Sequence, residues 1–234
     1  MKNQDQIRNR RKRRQLGFSL LELVVSTGIF GAVMGVAVEG MRTMQIKNTT
    51  TTNRVALTQE SRQFMDQILR DLRQSGFPSL SMYDPTTLTS ATNCNSDTNV
   101  ACGLTSYSPT AISFEGDIDG SGVSQVYLQL VQDVNGGTCT TTPCVLRRGA
   151  VLKSVGGTPE YYTELNNVAN TTIFAAYKYD GTAYNAAGGD TLSMITNIGI
   201  TLYVQASQVD EQTGVYPMVT MVSEARVNNG SQDQ

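Results

Sequence analysis

The feature that most constrains this chain is an apolar run from Phe18 to Val38, FSLLELVVSTGIFGAVMGVAV, in which Glu22 is the single charge. As an α-helix the run is roughly 30 Å long, which is enough to cross the hydrocarbon core of a bilayer. The basic residues before it should stay in the cytoplasm, so the C-terminal bulk of the chain faces outward. Glu22 is the anomaly, because an acid inside a membrane span costs about 3 kcal/mol on insertion scales. It needs a partner, and the apolar run contains no basic residue.

Positive charge is concentrated before this run. Residues 1–17 hold seven of the 18 basic residues and one acid, a balance of +6, so the remainder carries −2 − 6 = −8. The chain is 39% hydrophobic and only 16% charged, which predicts a polar, weakly charged surface of the kind common outside the cell. With its basic charge confined to a short tail, the chain is not expected to bind nucleic acid.

Residues suited to catalysis are scarce. The chain has no histidine, the side chain best suited to acid–base chemistry near neutral pH and the commonest metal ligand. It also has no P-loop, no G-x-G-x-x-G after a strand, no G-x-S-x-G and no H-E-x-x-H motif. We therefore expect a protein that is not an enzyme and that holds no cofactor.

Three ordinary explanations of the apolar run are incomplete. A cleaved secretory signal fits the basic start, but the run is long and no A-x-A-like site follows it. A twin-arginine signal at Arg13 and Arg14 is disfavoured because the hydrophobic stretch is too strong and starts too soon. A plain single-span anchor explains the length and the orientation, but it leaves Glu22 without a reason.

The segment GFSLLELVV, preceded by the basic cluster, resembles the type III signal of type IV pilins and pseudopilins. In that family a prepilin peptidase cuts after the glycine and methylates the new amino terminus. The resemblance implies cleavage between Gly17 and Phe18, which makes Phe18 the first mature residue and Glu22 the fifth. The Glu22 carboxylate would then neutralise the Phe18 amine of a neighbouring subunit, so that two charges poorly tolerated in an apolar bundle form one pair.

Other stretches resemble PilW-type minor pilins and J-type pseudopilins more loosely. They are LRDLRQSGF, SFEGDIDGSGVSQVYLQL followed by CVLRRG, and TIFAAYKYDGTAYN before SMITNIGITLYVQ. One departure concerns proline, which major pilins often carry near the end of the apolar half. Here Glu39 takes that place and no proline precedes Pro78, which leans away from a major pilin.

After Val38 the pattern turns amphipathic. Residues 54–78 predict a helix with one apolar face formed by Leu57, Phe64, Ile68 and Leu72, and with Met65 and Leu69 beside it. Gly76 and Pro78 should end that helix. The Thr49–Thr52 patch predicts a bend in the helix that continues from Val38, before this amphipathic pattern begins. Residues 79–110 are turn-rich and predict a long loop, while the final NNGSQDQ is expected to be frayed. Strands are predicted at 111–115, 124–132, 144–153, 172–179, 196–206 and 217–227.

The four cysteines, Cys94, Cys102, Cys139 and Cys144, lie in polar loop-like stretches. An even count in an exported chain predicts disulfides. Three pairings are possible, and the short spacings favour Cys94–Cys102 and Cys139–Cys144. A zinc site of four thiolates is the alternative, but the spacings do not match those of zinc fingers.

Three groups of charged residues require interpretation. The segment DIDGSG at 117–122 resembles the start of a calcium loop, but Leu128 stands where that loop needs an acid, so we interpret it as a tight turn between strands. No metal ligand is therefore assigned. Arg147 and Arg148 are expected at a solvated strand end. The outer side of the amphipathic helix is expected to carry Asp66, Arg70, Asp71 and Arg73.

The sequence thus predicts an α+β fold in which a long N-terminal helix, membrane-spanning in its first half, packs on an antiparallel β-sheet head. The resemblance implies a structural minor pilin that helps to assemble or initiate a type IV pilus, or sits near its tip. A pseudopilin of a type II secretion system and a membrane-tethered adhesin are the alternatives. Implied partners are other pilin subunits, the prepilin peptidase and the inner-membrane assembly platform. The expected segments are a cleaved leader, an anchor, an amphipathic half-helix, a head and a tail at 1–17, 18–38, 39–76, 77–229 and 230–234.

Overall fold

The computed structural model describes residues 19–82, 94–211 and 213–229. Its one α-helix among these residues, α1 (Leu20–Gln74), is 55 residues long and continues through Thr49–Thr52, where the sequence predicted a bend. The helix ends two residues before Gly76, whose φ of 75° only glycine adopts readily. The chain divides into two compact units between Lys47 and Asn48.

The described part of the second unit contains nine strands. All six predicted strands agree within two residues at each end, and five of them agree within one residue. The other three, β1, β4 and β6, were missed, and β1 lies inside the predicted loop 79–110. The bounds are β1 (Leu104–Tyr107), β2 (Ala111–Gly116), β3 (Ser124–Asp133), β4 (Gly136–Thr138), β5 (Cys144–Leu152), β6 (Glu160–Val168), β7 (Phe174–Lys178), β8 (Ile195–Gln205) and β9 (Met218–Arg226).

All the strand pairings are antiparallel. The order is β1-β2-β3-β5-β6-β8-β7, with β4 beside β3 and β9 beside β8. Strand β6 meets β8 at a single pair, Val168 and Val204. Next to that pair the Asn170 side chain makes the hydrogen bonds to β8 that the backbone of a paired strand would make. It donates to the Thr201 carbonyl (2.8 Å) and accepts from the Tyr203 amide (3.0 Å). The expected α+β architecture is confirmed.

The core lies between the helix face and the inner face of the sheet. The predicted apolar face is confirmed, because Phe64, Met65, Ile68 and Leu72 are buried, and Leu57 and Leu69 pack against the same cluster. Strand residues alternate inward, as Ile198, Ile200, Leu202 and Val204 do along β8. Each large side chain fully buried in this way stabilises the fold by roughly 1.5–3 kcal/mol.

Asp71 corrects one expectation, since it is buried instead of lying on the outer side of the helix. Its carboxylate accepts a hydrogen bond from Arg148 at 2.9 Å. Burial raises the pKa of Asp71, and the attraction of Arg148 offsets only part of that effect. Burial also raises the pKa of Glu164, against a lowering by the same Arg148. The helix is therefore joined to β5 by a largely dehydrated ion pair as well as by apolar contacts.

The arginine pair on β5 is a second correction, because neither residue is a solvated strand end. Arg148 holds Asp71, as described above. Arg147 donates to the Gln129 side chain at 3.0 Å, and its guanidinium lies 4.3 Å from the centre of the Tyr161 ring. Both arginines stand inside β5, with strands on either side. The prediction from the motif CVLRRG was wrong because the partners of both arginines lie on other elements of the fold, which the motif does not include.

The structure contains two disulfides, Cys94–Cys102 and Cys139–Cys144, in the pairing that the spacings favoured. The first closes a short loop around a small apolar cluster that includes Val100. The second links the start of β5 to the chain just before it.

A buried lysine fixes the loop between Cys94 and Cys102. The Lys153 ammonium donates to the carbonyls of Cys94 and Val100, both at 2.8 Å, and to the Glu115 carboxylate at 2.7 Å. The same carboxylate accepts from the Cys102 amide at 3.0 Å. All three donors of the ammonium are thus used, and the pair is protected from water on both sides.

Asn229 is held within the head, which corrects the expectation that the chain is frayed from residue 228. Asn229 is buried, accepts from the Leu104 amide at 2.6 Å and donates to the carbonyls of Leu192 and Ile195. The adjacent Asn228 carbonyl lies so close to Gly76 that a Cβ added there would stand 2.1 Å from its oxygen. Asn228 and Asn229 therefore close the head beside the end of α1. The expected tail, 230–234, lies outside the described residues.

Candidate functional site

The first part of α1 is an apolar surface that nothing in its own unit covers. Leu20 is 82% exposed, Phe30 63% and Val36 77%. This part of the helix is long and apolar enough to cross a membrane, and none of its most apolar stretch is buried. An apolar surface of this extent is unfavourable in water. Lipid or the helices of other subunits must therefore cover it.

Glu22 stands exposed in the first turn of this helix. The Leu23 amide donates to the Ser19 carbonyl at 3.1 Å, which places the start of the helix just before Glu22. A carboxylate is favourable at a helix N-terminus because it faces the positive end of the helix dipole. Its described helical neighbours three and four positions away are Ser19, Val25 and Ser26, none of them basic. The helix itself thus leaves Glu22 to a partner from elsewhere.

Gly17 and Phe18, the predicted cleavage pair, lie outside the described residues, as does the leader 1–17. The structure therefore places only Glu22 among the three predicted processing and assembly residues.

Thr27 has its hydroxyl hydrogen-bonded within the helix, and the glycines of the run have no side chain. The Thr27 hydroxyl donates to the carbonyls of Leu23 and Val24, both at 3.0 Å, as expected for a threonine in a membrane helix. The four glycines Gly28, Gly31, Gly35 and Gly40 open onto empty space, so another helix can approach the backbone closely there. Glu22 is therefore the polar residue of the run that needs a partner from outside its own helix.

The segment 117–122 is confirmed as a turn between β2 and β3. The Asp117 carboxylate accepts from the amides of Gly120 and Gly122, at 2.8 and 3.3 Å. Asp119 accepts from the amide and the hydroxyl of Ser121, and these hydrogen bonds lower the pKa of Asp119. Both carboxylates therefore hold the turn. In the part of the chain that the structure describes, no group of three acidic or cysteine side chains is arranged to hold a metal ion.

Sequence reasoning missed the polar groups that organise the head. Lys153, Glu115 and Asn229 are far apart in the chain and follow no motif. The detectable signals are weak: an acid follows the apolar residues of β2, AISFEG, and a lysine follows those of β5, CVLRRGAVLK. These groups fix the head and do not extend the site on the N-terminal helix.

Comparison with known families identifies the N-terminal segment. Residues 12–38 match a family model described as the prokaryotic N-terminal methylation motif. No curated protein and no solved structure matches the chain. The match covers the end of the basic cluster and the whole apolar run, and it does not extend into the head. It identifies a signal for prepilin-type processing and methylation, as in type IV pilin-like proteins.

Proposed function

We propose that this chain is a structural subunit of a type IV pilus, specifically a minor pilin that takes part in assembly or initiation or stands near the tip. The observation that carries the proposal is the methylation motif at 12–38, on a helix whose apolar surface is uncovered and whose apolar run carries a single charge, Glu22. The β-sheet head on the second half of the same helix is consistent with this architecture.

The proposed chemistry begins at the amino terminus. A prepilin peptidase cuts between Gly17 and Phe18 and methylates the new Phe18 amine, which keeps a positive charge at the start of the span. The Glu22 carboxylate of one subunit pairs with that amine on its neighbour as the helices stack. The pair removes an isolated charge of each sign from the apolar bundle, where such charges are costly. The pairing therefore fixes the axial position of each new helix.

The proposed route of the protein follows its segments. The precursor is held in the inner membrane by residues 18–38, with the basic leader 1–17 in the cytoplasm and the head, 77–229, in the periplasm. The amphipathic half 39–76 joins the two, and 230–234 form a tail. The assembly platform and other pilins are the proposed partners, and the apolar run then leaves the lipid for the core of the filament.

A pseudopilin of a type II secretion system shares this processing and this helix. The looser likeness of the head to both PilW-type minor pilins and J-type pseudopilins does not separate them. The lack of a proline before Pro78 favours either over a major pilin. A tethered adhesin would need only the span, and it gives no role to Glu22.

Fractionation of the native host tests the assignment. We expect the processed chain to be recovered in surface filaments sheared from the cells, at low copy relative to the main subunit. Recovery of the processed chain only in the cell envelope, together with loss of protein secretion when its gene is deleted, would instead establish the pseudopilin. Recovery of unprocessed chain in the envelope, with filaments unchanged by the deletion, would favour the tethered adhesin.

A further inference from the structure

Strand β9 forms a free edge of the sheet. In the part of the chain that the structure describes, β9 pairs with β8 alone, over an unbroken antiparallel register. At the two ends of this pairing, the Val227 amide donates to the Thr196 carbonyl and the Ala206 amide donates to the Pro217 carbonyl, both at 2.8 Å. Because hydrogen-bonded and non-hydrogen-bonded pairs alternate along an antiparallel ladder, the odd-numbered residues of β9 bond to β8. The even-numbered residues direct their backbone N–H and C=O groups to the free side.

We call this free side the β9 edge. Its members are the even-numbered residues of the strand: Met218, Thr220, Val222, Glu224 and Arg226. All five side chains are exposed. Among the described residues outside β9, no backbone group donates to or accepts from the backbone of these five. The edge is thus a row of backbone donors and acceptors that repeats about every 7 Å along the strand.

The other edges of the sheet are short or covered. Strand β4 has three residues. Strand β1 has four residues and an irregular register, and its Leu104 amide donates to the Asn229 side chain at 2.6 Å. Strand β7 has five residues and a register shift, and the chain that follows it returns, so that the Tyr184 amide donates to the Ala176 carbonyl at 2.9 Å. Short, bulged and covered edges are the means by which proteins keep a sheet from pairing with another chain.

Strand β9 has none of these protections. It is nine residues long, its register has no bulge, and its sequence, MVTMVSEAR, contains neither proline nor lysine. Val222 at its centre is 71% exposed. A long edge that is left open in this way is a template for a further strand. The ligand that matches a row of backbone donors and acceptors is an extended polypeptide.

We propose that the β9 edge binds an extended segment of another protein, which adds to the sheet as an antiparallel strand beside β9. Hydrogen bonds to the five edge residues provide affinity, and the side chains directly opposite them provide specificity. Opposite charges and apolar or β-branched residues are the favourable cross-strand pairs. The bound segment therefore has an acid opposite Arg226, a base opposite Glu224, and apolar or β-branched residues opposite the other three. This inference goes beyond the proposed function, because it gives the head a ligand.

A second copy of β9 does not have this pattern. Two copies related by a two-fold axis would pair in antiparallel order. In the register centred on Val222, which uses the whole strand, Glu224 lies opposite Thr220 and Arg226 lies opposite Met218, so neither charge is matched. The two charges meet their opposites only when the pairing is centred on the residue between them, and that register leaves most of β9 without a partner strand. The occupant is therefore a different sequence.

Fluorescence anisotropy with a labelled synthetic peptide tests the proposal on the purified full-length chain in an uncharged detergent. The probe is Glu-Ser-Lys-Thr-Val-Ser-Ile-Thr-Leu, which in antiparallel order places its acid opposite Arg226 and its base opposite Glu224. One derivative is N-methylated at the fifth and seventh residues of the probe, whose amides face β9, and the other at the fourth and sixth, whose amides face away. The two derivatives differ only in where the methyl groups lie. We expect the first to bind at least about tenfold more weakly than the probe and the second to bind like it, because only the first loses hydrogen bonds to β9.

Val222→Pro removes a donor from the β9 edge in the protein itself. The Val222 amide faces away from β8, so the proline costs no hydrogen bond within the sheet and is tolerated on an edge strand. The matched control is Val222→Thr, which keeps the amide and the branched shape of the side chain. We expect the probe to bind the proline variant at least about tenfold more weakly than the threonine variant. Circular dichroism and thermal unfolding of each variant check that the head remains folded.

Three results would overturn the proposal. One is equal binding of the two methylated derivatives, and another is the absence of binding of the probe to the wild type at concentrations up to about 1 mM. The third is binding of a peptide with the sequence of residues 218–226 as tightly as the probe, which would assign the edge to a second copy of this chain. None of these measurements depends on cleavage after Gly17 or on recovery in filaments, so failure of the proposed function would be recognised separately.

Discussion

Replacing Glu22 by glutamine is expected to leave cleavage of the leader intact and to lower incorporation of the chain into filaments by roughly 100-fold. Glutamine keeps the shape of the side chain but removes the charge that neutralises the Phe18 amine of the neighbour. An unpaired charge in an apolar environment costs about 3 kcal/mol, and each 1.4 kcal/mol is a factor of ten in an equilibrium constant. Immunoblots of sheared filaments and of membranes from the same cells measure the two quantities.

The matched control is Glu39→Gln, which removes the other acid in the described part of the first unit, also exposed and on the same helix. It lies beyond the apolar run, so its incorporation should be close to that of the wild type. Normal incorporation of the Glu22→Gln chain would contradict the charge-pairing account. A loss of cleavage in that variant would show that Glu22 acts in recognition by the peptidase.

Gly76→Ala is expected to destabilise the head by about 3 kcal/mol or more. The φ of 75° places the backbone in a region that costs a non-glycine residue about 1–3 kcal/mol. The new Cβ would also stand 2.1 Å from the Asn228 carbonyl oxygen, and relieving such overpacking costs a further 1–3 kcal/mol or so. The segment cannot shift freely, because the Gly76 amide donates to the Glu115 carbonyl at 2.8 Å. Calorimetry should show a fall in Tm of about 10 °C.

Gly181→Ala separates the two causes. Gly181 has nearly the same φ, 80°, but nothing lies within 4 Å of an added Cβ. This variant should lose only about 1 kcal/mol of stability, which is the cost of the backbone strain alone. Equal losses of Tm in the two variants would mean that the contact between Gly76 and the C-terminal segment does not hold the head together.

The helix and most of the strands could be predicted because their patterns are local. The apolar run and the face from Leu57 to Leu72 repeat with the helical period, and Gly76 marks the end of the helix. Six strands were found within two residues because β-branched residues alternate in them. Strand β6, EYYTELNNV, was missed because it is mostly polar and partly exposed, and β4, GGT, because glycines have little strand propensity.

The parts that could not be predicted depend on contacts between distant segments. Asp71 lies three residues after Ile68 and seven after Phe64, on the packed face of the helix. Its charge made it look like a solvent-facing residue, because the sequence does not show that Arg148 on β5 lies opposite it. The C-terminal asparagines have the composition of a frayed end, yet Asn229 bonds to Leu104, 125 residues earlier. The methylation motif differs in this respect, because it is continuous in the sequence, at residues 12–38.

The most direct test of the central claim is mass spectrometry of the N-terminal peptide of the protein isolated from its native membranes. The account predicts a peptide that begins at Phe18 and carries a methyl group on its amine. An intact terminus that still includes residues 1–17, in cells with an active prepilin peptidase, would contradict it and reduce the apolar run to a plain membrane anchor.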